Sequence, residues 1–371
     1  MLKKKLVLAI LLALSGMAAR ADISLLDDKA VVYGWLATSP EYESIDSTAA
    51  GKSTSRLRLA DQSSRIGFKG ETNLDEDLKA FWRAEQRVRV GASSANGTND
   101  ASAGWGDRPT YVGLQNSYGK VVIGKFFDVI DDSRDDFFKC MSNIEETSGG
   151  IINFVRRGAG KPTSAMEYAS PSMSGFRFKA DYDFGSNTTT ANSHGVAGSI
   201  MYNAKRFDVG YAYKLNSNSS TTSADYSTST LSDSYNYKYN LVGWNINIMS
   251  GLDFSAAIDK VSLKGQTTQV GYGVGMTYVR GKLKVNATYG LLDDTKKSGA
   301  SQTGTGAWGA NLGVTYKMNK NLDWLAGFAL VKNEANSAVG TNTVKSLAPD
   351  GSTALYGSKI TAISTGLRYN F

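Results

Sequence analysis

Of the residue types that most often carry chemistry, the chain holds one histidine, His194, and one cysteine, Cys140. Structural and catalytic zinc draw most of their three or four ligands from these two types, so no metal cluster is expected. A nucleophilic triad would have to run through His194. That residue follows a Thr-, Asn- and Ser-rich stretch (187–193) and reads as a surface or strand-end histidine. Gly271, Gly273 and Gly275 alternate with Tyr272, Val274 and Met276 and have no helix behind them, so they leave one wall of a strand bare rather than form a dinucleotide loop. Residues 158–163 (GAGKPT) do not make a phosphate loop, because Val155, upstream of them, stands where its first glycine is needed and Pro162 follows the lysine. Neither enzyme activity nor a cofactor is expected.

What the chain holds instead is charge in a pattern. Residues 126–160 contain seven acids (Asp128, Asp131, Asp132, Asp135, Asp136, Glu145 and Glu146) and four bases (Arg134, Lys139, Arg156 and Arg157). Between them lie Phe126, Phe127, Val129, Ile130, Phe137, Phe138 and Met141, and a connection so rich in apolar side chains must pack against something. Long ordered loops in compact proteins are usually functional. Elsewhere bases keep to one phase of a period of two: Arg65 and Lys69, with Gly67 between them, alternate with Ile66 and Phe68, and Arg83, Arg87 and Arg89, with Glu85 among them, alternate with Trp82, Ala84 and Val88. Acids on a loop facing bases on a wall create a transverse field in a narrow throat, which sorts small polar solutes and ions.

The elements that position these groups are strands. Phe176, Phe178, Ala180, Tyr182 and Phe184 interleave with Arg177, Lys179, Asp181 and Asp183, and similar runs begin at Phe207, Leu252, Val270, Leu283, Trp308, Leu322 and Ile363. Short connections rich in turn formers alternate with long ones rich in Ser, Thr, Asn and Gly, such as 92–107, 216–234, 293–304 and 334–356. Seven tight turns, with both termini on the same side, give eight hairpins and about sixteen strands. Residues 1–21 carry Lys3, Lys4 and Lys5, an apolar run and Ala19-Arg20-Ala21, the form of a secretory signal. Removing it takes four of the 41 bases and leaves 37 against 34 acids, so the formal +7 falls to +3 and a nucleic-acid partner loses its support. Past residue 21 no apolar run is long enough for a membrane helix. An exported two-faced chain of this kind fits an all-β, 16-stranded antiparallel transmembrane β-barrel over residues 22–371, because closure satisfies every backbone group in lipid.

Parity then assigns sides. Turning Arg65, Lys69, Arg83 or Arg87 outward would place charge in lipid at roughly 2–4 kcal/mol each near the midplane, so they face the lumen. Arg56 and Arg58 are out of phase with Arg65, which requires either a bulge near residues 60–62 or their exposure to water above the membrane.

Together, residues 64–71 (SRIGFKGE), Leu78-Lys79-Ala80 running to Trp82 and Glu85, Tyr111-Val112-Gly113-Leu114 with Tyr118-Gly119-Lys120-Val121, and the terminal Leu367, Tyr369 and Phe371 resemble the Gram-negative general-diffusion porins of β-proteobacterial type. The resemblance implies a homotrimer in outer-membrane lipid, each barrel having its third extracellular loop folded inward. It maps the family's basic cluster onto Arg65, Arg108 and one of Arg156 or Arg157, with Lys69 close by. The acidic side falls on Asp135 and Asp136, or Glu145 and Glu146, with Asp131 and Asp132 in the same loop. Trp35 departs from relatives that place a base after Tyr-Gly, and Cys140 is unusual, either a small buried residue or a reactive thiol. Leu367, Tyr369 and Phe371 have the form of a signal to the outer-membrane assembly machinery, and equally of an ordinary lipid-facing strand end. The expected function is passive diffusion of small hydrophilic solutes and ions with weak to moderate anion preference. The alternatives are a substrate-specific channel and an adhesin or receptor.

Overall fold

Each alternating run forms a strand, and the strands close into a single antiparallel barrel. The structure is a computed structural model that describes residues 22–25, 30–47, 52–90, 106–140, 154–155, 157–158, 162, 164–185, 187–188, 191–218, 236–263, 267–339 and 356–371. The leader read in residues 1–21, and the candidate site residues Glu145, Glu146 and Arg156, lie outside the described residues.

The sixteen barrel strands are β1 (Ala30–Ser47), β2 (Lys52–Asp61 continuing as Arg65–Asn73), β3 (Lys79–Arg87), β4 (Thr110–Asn116), β5 (Gly119–Lys125), β6 (Ala165–Ala169), β7 (Phe176–Asp183) and β8 (Ala191–Asn203), followed by β9 (Phe207–Asn218), β10 (Tyr237–Met249), β11 (Leu252–Leu263), β12 (Thr267–Arg280), β13 (Leu283–Leu292), β14 (Ala307–Lys317), β15 (Leu322–Asn333) and β16 (Ser358–Asn370). Each pairs with the next in sequence, and β16 returns to β1 with Trp35 opposite Asn370 and Ser47 opposite Ser358. At the end of that seam the Gly34 and Phe371 backbones exchange hydrogen bonds of 2.9 and 3.0 Å. Below it, Asp22–Leu25 pairs along the edge of β1 that β16 has left. The connection after β13 adds a small hairpin, Thr295–Lys297 with Ala300–Gln302.

The alternation places apolar side chains outside. Val112, Phe176, Tyr211, Val242, Val274, Leu312, Trp324 and Ile363 are exposed, and their sequence neighbours point into the barrel. The phase conflict in β2 is resolved by a bulge. Thr38 opposes Asp61 and Trp35 opposes Arg65, so three steps on β1 meet four on β2. The extra residue falls at 62–64, where Ser63 adopts φ 59°. There the Ser64 hydroxyl substitutes for a ladder acceptor, taking the Ala37 amide at 2.9 Å, while the Ala37 carbonyl accepts from the Gln62 amide at 2.9 Å and from the Ser64 hydroxyl at 3.1 Å. Both Arg56 and Arg65 can therefore face inward while Leu57, 75% exposed, faces out.

Deleting Gln62 should remove that correction and turn one half of β2 inside out. With Arg56 and Arg58 driven toward lipid at roughly 2–4 kcal/mol each, the folded fraction seen by unheated gel mobility should fall sharply. An unchanged folded fraction would show that the bulge has no such role.

Candidate functional site

The inner wall of β1–β4 is organised around one carboxylate. Glu85 on β3 has no solvent exposure, and the sheet carries Arg65, Arg83 and Tyr33 to it because all of them lie on the inward phase of adjacent strands. Tyr33 donates its hydroxyl to Glu85 Oε2 at 2.9 Å, and Arg83 and Arg108 donate to the two oxygens of the same carboxylate. Arg65 Nη1 lies 3.6 Å from Oε1. The Arg65 guanidinium also sits 3.7 Å over the Trp35 ring, so this aromatic residue supports the cluster from beneath. Three guanidinium groups against one carboxylate leave this wall with surplus positive charge, to which exposed Lys69, 5.0 Å from the Tyr33 ring, adds.

The opposite side is the connection between β5 and β6. Its helix α1 (Val129–Asp136) starts at Asp128, whose side chain accepts from the Asp131 amide at 2.9 Å, and Asp131 and Asp132 occupy the first turn, where the helix dipole favours acids. Residues four apart share a helix face. Asp128, Asp132 and Asp136 therefore form one stripe, and it turns toward wall cations: Asp128 pairs with Lys214 at 2.8 Å, while Asp132 and Asp136 bracket Lys179 at 2.7 and 2.9 Å. Further along, Lys139 pairs with Asp208 at 2.6 Å, and the Cys140 amide donates to Ser255 Oγ at 2.9 Å.

The apolar residues of the loop fill wall positions that have no side chain. A Cβ on Gly210 would stand 2.2 Å from the Phe137 ring, and one on Gly273 would stand 2.9 Å from Val155. Gly271 and Gly275 continue the same bare strip beneath Phe154 and Cys140. Phe137, Phe138, Phe154 and Val155 are completely buried, each contributing about 1.5–3 kcal/mol of burial as an upper estimate. The loop is thus held to the β7–β14 side by ion pairs at its start and by apolar packing further along.

The structure separates the residues that the sequence grouped. Arg65, Arg83 and Arg108 converge on Glu85, and Arg87 lies one register pair above, opposite Arg65. Arg157 lies apart from them: only 8% exposed, it donates to Asp259 at 2.6 Å and Gln269 at 2.6 Å, anchoring the loop to the far wall. Asp132 and Asp136 face the wall cations, Asp131 is buried, and Asp135 is exposed. Leu367 and Tyr369 are exposed on the outer face. Cys140 is fully buried, and burial pushes its thiol pKa up, away from a reactive thiolate. His194 lies exposed on β8. Sequence reasoning did not single out Glu85, Tyr33, Lys179, Lys214 or Asp259 as partners. The four-residue spacing of Asp128, Asp132 and Asp136 was the available clue to Lys179 and Lys214.

A family model described as Gram-negative porin matches residues 7–336. Among curated proteins, the chain is 26% identical to the major outer membrane protein P.IA of Neisseria meningitidis serogroup C, with both chains covered in full. It is 28% identical to the major outer membrane protein P.IB of Neisseria sicca over 52% of this chain, and there it spans 50% of that relative's length. Among solved structures, the anion-selective porin from Comamonas acidovorans superposes with a TM-score of 0.71 at 19% identity, covering 92% of this chain and 99% of the other. The trimer form of OmpT from Vibrio cholerae gives 0.61 at 15% identity, covering 92% and 99%.

Glu85→Gln should leave three guanidinium groups around a neutral partner. Removing one member of a buried ionic cluster costs about 3–5 kcal/mol, so urea unfolding in vesicles should shift to lower denaturant while anion preference rises; an unchanged midpoint would deny the hub. Enclosure pushes the Asp132 carboxyl up to about 7 against the opposing pull of Lys179. A raised pKa keeps the group neutral below that value and anionic above it. Lowering the pH from about 8 to about 6 should therefore shift the salt-gradient potential toward anion preference, and Asp132→Asn should abolish that step. A step that persists in the variant would assign it to another group.

Proposed function

Since this chain belongs to the Gram-negative porin family, we propose that its barrel is a water-filled channel for passive diffusion of small hydrophilic solutes and ions, with weak to moderate anion preference. The chain is an outer-membrane β-barrel porin of Gram-negative type, and the family it belongs to is one of channels rather than enzymes. The observation that carries the preference is the imbalance between the two sides of the site. Asp128, Asp132 and Asp136 on the loop spend their charge on Lys214, Lys179 and Arg177, while Arg65, Arg83 and Arg108 share one carboxylate and keep a net positive field. In a low-dielectric throat that surplus is poorly screened and lowers the cost of an entering anion. The anion selectivity named for the Comamonas acidovorans porin, whose fold this chain shares, is in keeping with the reading.

A homotrimer belongs to the same proposal. Strands β4, β5 and β6 have seven, seven and five residues, short of the about 9–11 that a tilted strand needs to cross a bilayer. On this low stretch Trp82, Val112, Leu114, Val121 and Ile123 line an outward apolar groove of about 510 Å³, which a second copy would cover. The leader in residues 1–21 serves export in this reading, and Leu367, Tyr369 and Phe371 present the barrel to the assembly machinery.

In planar bilayers under a salt gradient, the zero-current potential should carry the sign of anion preference, and replacing Arg65 or Arg83 by Ala should shrink it. A clear cation preference in the unaltered protein would mean that the loop acids govern the throat.

A further inference from the structure

The lumen wall of β1–β4 carries rings as well as charge. Trp35, Tyr33, Phe81 and Tyr111 lie on the inward phase of their strands and are partly exposed, so each keeps some of its ring in the aqueous lumen. No single strand carries the row; neighbouring strands assemble it. Trp35 and Tyr33 are successive inward residues of β1. The Arg83 guanidinium lies 5.2 Å from the centre of the Tyr33 ring, and Arg83 is the register partner of Tyr111. Tyr111 meets Phe81 edge to face, with centroids 6.2 Å apart. Arg65 stands opposite Trp35 and Glu71 opposite Phe81, so the row covers about 20 Å of wall, running toward the short turns.

Cations line the row along its length. Arg65 stands 3.7 Å over Trp35, Lys69 lies 5.0 Å from the Tyr33 ring and Lys120 5.7 Å from that of Phe81. On the loop side Phe127 takes Arg108 at 5.6 Å. The carboxylates of the strip are already engaged, Glu85 by three arginines and Tyr33, and Glu71 by Lys79 at 2.9 Å. Two glycines set how the rings lie. A Cβ on Gly67 would stand 2.4 Å from the Tyr33 ring and one on Gly113 2.3 Å from that of Phe81, so both rings lie across a neighbouring strand instead of standing into the throat. Behind Phe81 and Tyr111, buried Val122, Phe126 and Ala165 close the wall. A hydrated chloride ion has no use for ring surface. A solute that joins a flat apolar ring to a carboxylate uses both parts of the strip, ring against ring and carboxylate against cation.

We propose that this strip is a binding track for aromatic monocarboxylates. The carboxylate passes from Arg65 to Arg83 and Lys69 and then to Lys120, while the ring moves over Tyr33, Tyr111 and Phe81. The inference rests on the reading of the barrel as an anion-preferring diffusion channel and adds a favoured class of solute to it. Weak affinity along the wall raises the number of such solutes in the throat, which speeds their passage when they are dilute.

The test uses the full protein in planar bilayers, with the potassium chloride current through single channels read as potassium benzoate, potassium acetate or benzyl alcohol is added. Benzoate should halve the current at about one tenth of the acetate concentration, the gain of one or two aromatic contacts. Benzyl alcohol, a ring without charge, should leave the current as it was. Phe81→Leu keeps apolar bulk and removes a ring face, so the gap between the two acids should narrow about fivefold. Lys120→Gln removes charge and no ring, so it should weaken both acids together. Equal block by benzoate and acetate in the unaltered protein, block by benzyl alcohol at the benzoate concentration, or an undiminished gap in both Phe81→Leu and Tyr111→Leu would each overturn the proposal and leave the channel reading standing. The comparison of the two acids needs no variant. A channel with no preference for chloride over potassium would overturn the anion reading first, and this proposal with it.

Discussion

A lipid tail offers no hydrogen-bond partner to a backbone amide and no counterion to a side chain, and this constraint orders the whole barrel. Closure satisfies the backbone, and period-two alternation satisfies the side chains by sending one face to lipid and the other to water. The cost of violating the second condition explains why β2 carries a bulge: Arg56 and Arg65 could not share an interior without one extra residue between them. It also explains why Ser64 stands at that point, since the bulge leaves the Ala37 amide without a ladder acceptor and the hydroxyl takes that place.

Inside, charge is used in two ways. On the β7–β14 side it attaches a loop, with Asp128, Asp132 and Asp136 met by Lys214, Lys179 and Arg177. On the β1–β4 side it is deliberately unbalanced, with Glu85 keeping three mutually repelling guanidinium groups together while leaving their surplus in place. Trp35 fits this second arrangement. Its flat face accepts a guanidinium without neutralising it, which a carboxylate at the same position would not do.

Much of this was legible in the residues. Alternation announced the strands and the sides that Arg65 and Arg83 face, and of the two readings left by the phase conflict at Arg56, a bulge or exposure above the membrane, the structure takes the bulge, within two residues of the expected place. The bare row Gly271, Gly273 and Gly275 was recognisable as open wall, though not as the seat of Phe154, Val155 and Cys140. Partnerships between distant segments were not legible. Arg157 finds Asp259 and Gln269 only because the barrel curves β11 and β12 beneath the loop, and no local spacing reports that. Acids within one loop also divide by helical stripe, so a stretch that looks uniformly acidic contains anchoring residues such as Asp132 and an exposed one, Asp135.

The seam between β1 and β16 carries a kinetic meaning. Trp35 meets Asn370 and Gly34 meets Phe371, so the first strand cannot complete its ladder until the last has been delivered. Every neighbouring hairpin is a local event, but this contact spans nearly the whole chain, and the loop-closure entropy of joining such distant segments must be met before any reward arrives. Until then the sheet has two open edges, each a row of unpaired amides and carbonyls that would accept a strand from another chain. Ring closure is therefore a late, high-contact-order step, and the two edges left open until then are the ones that become its seam.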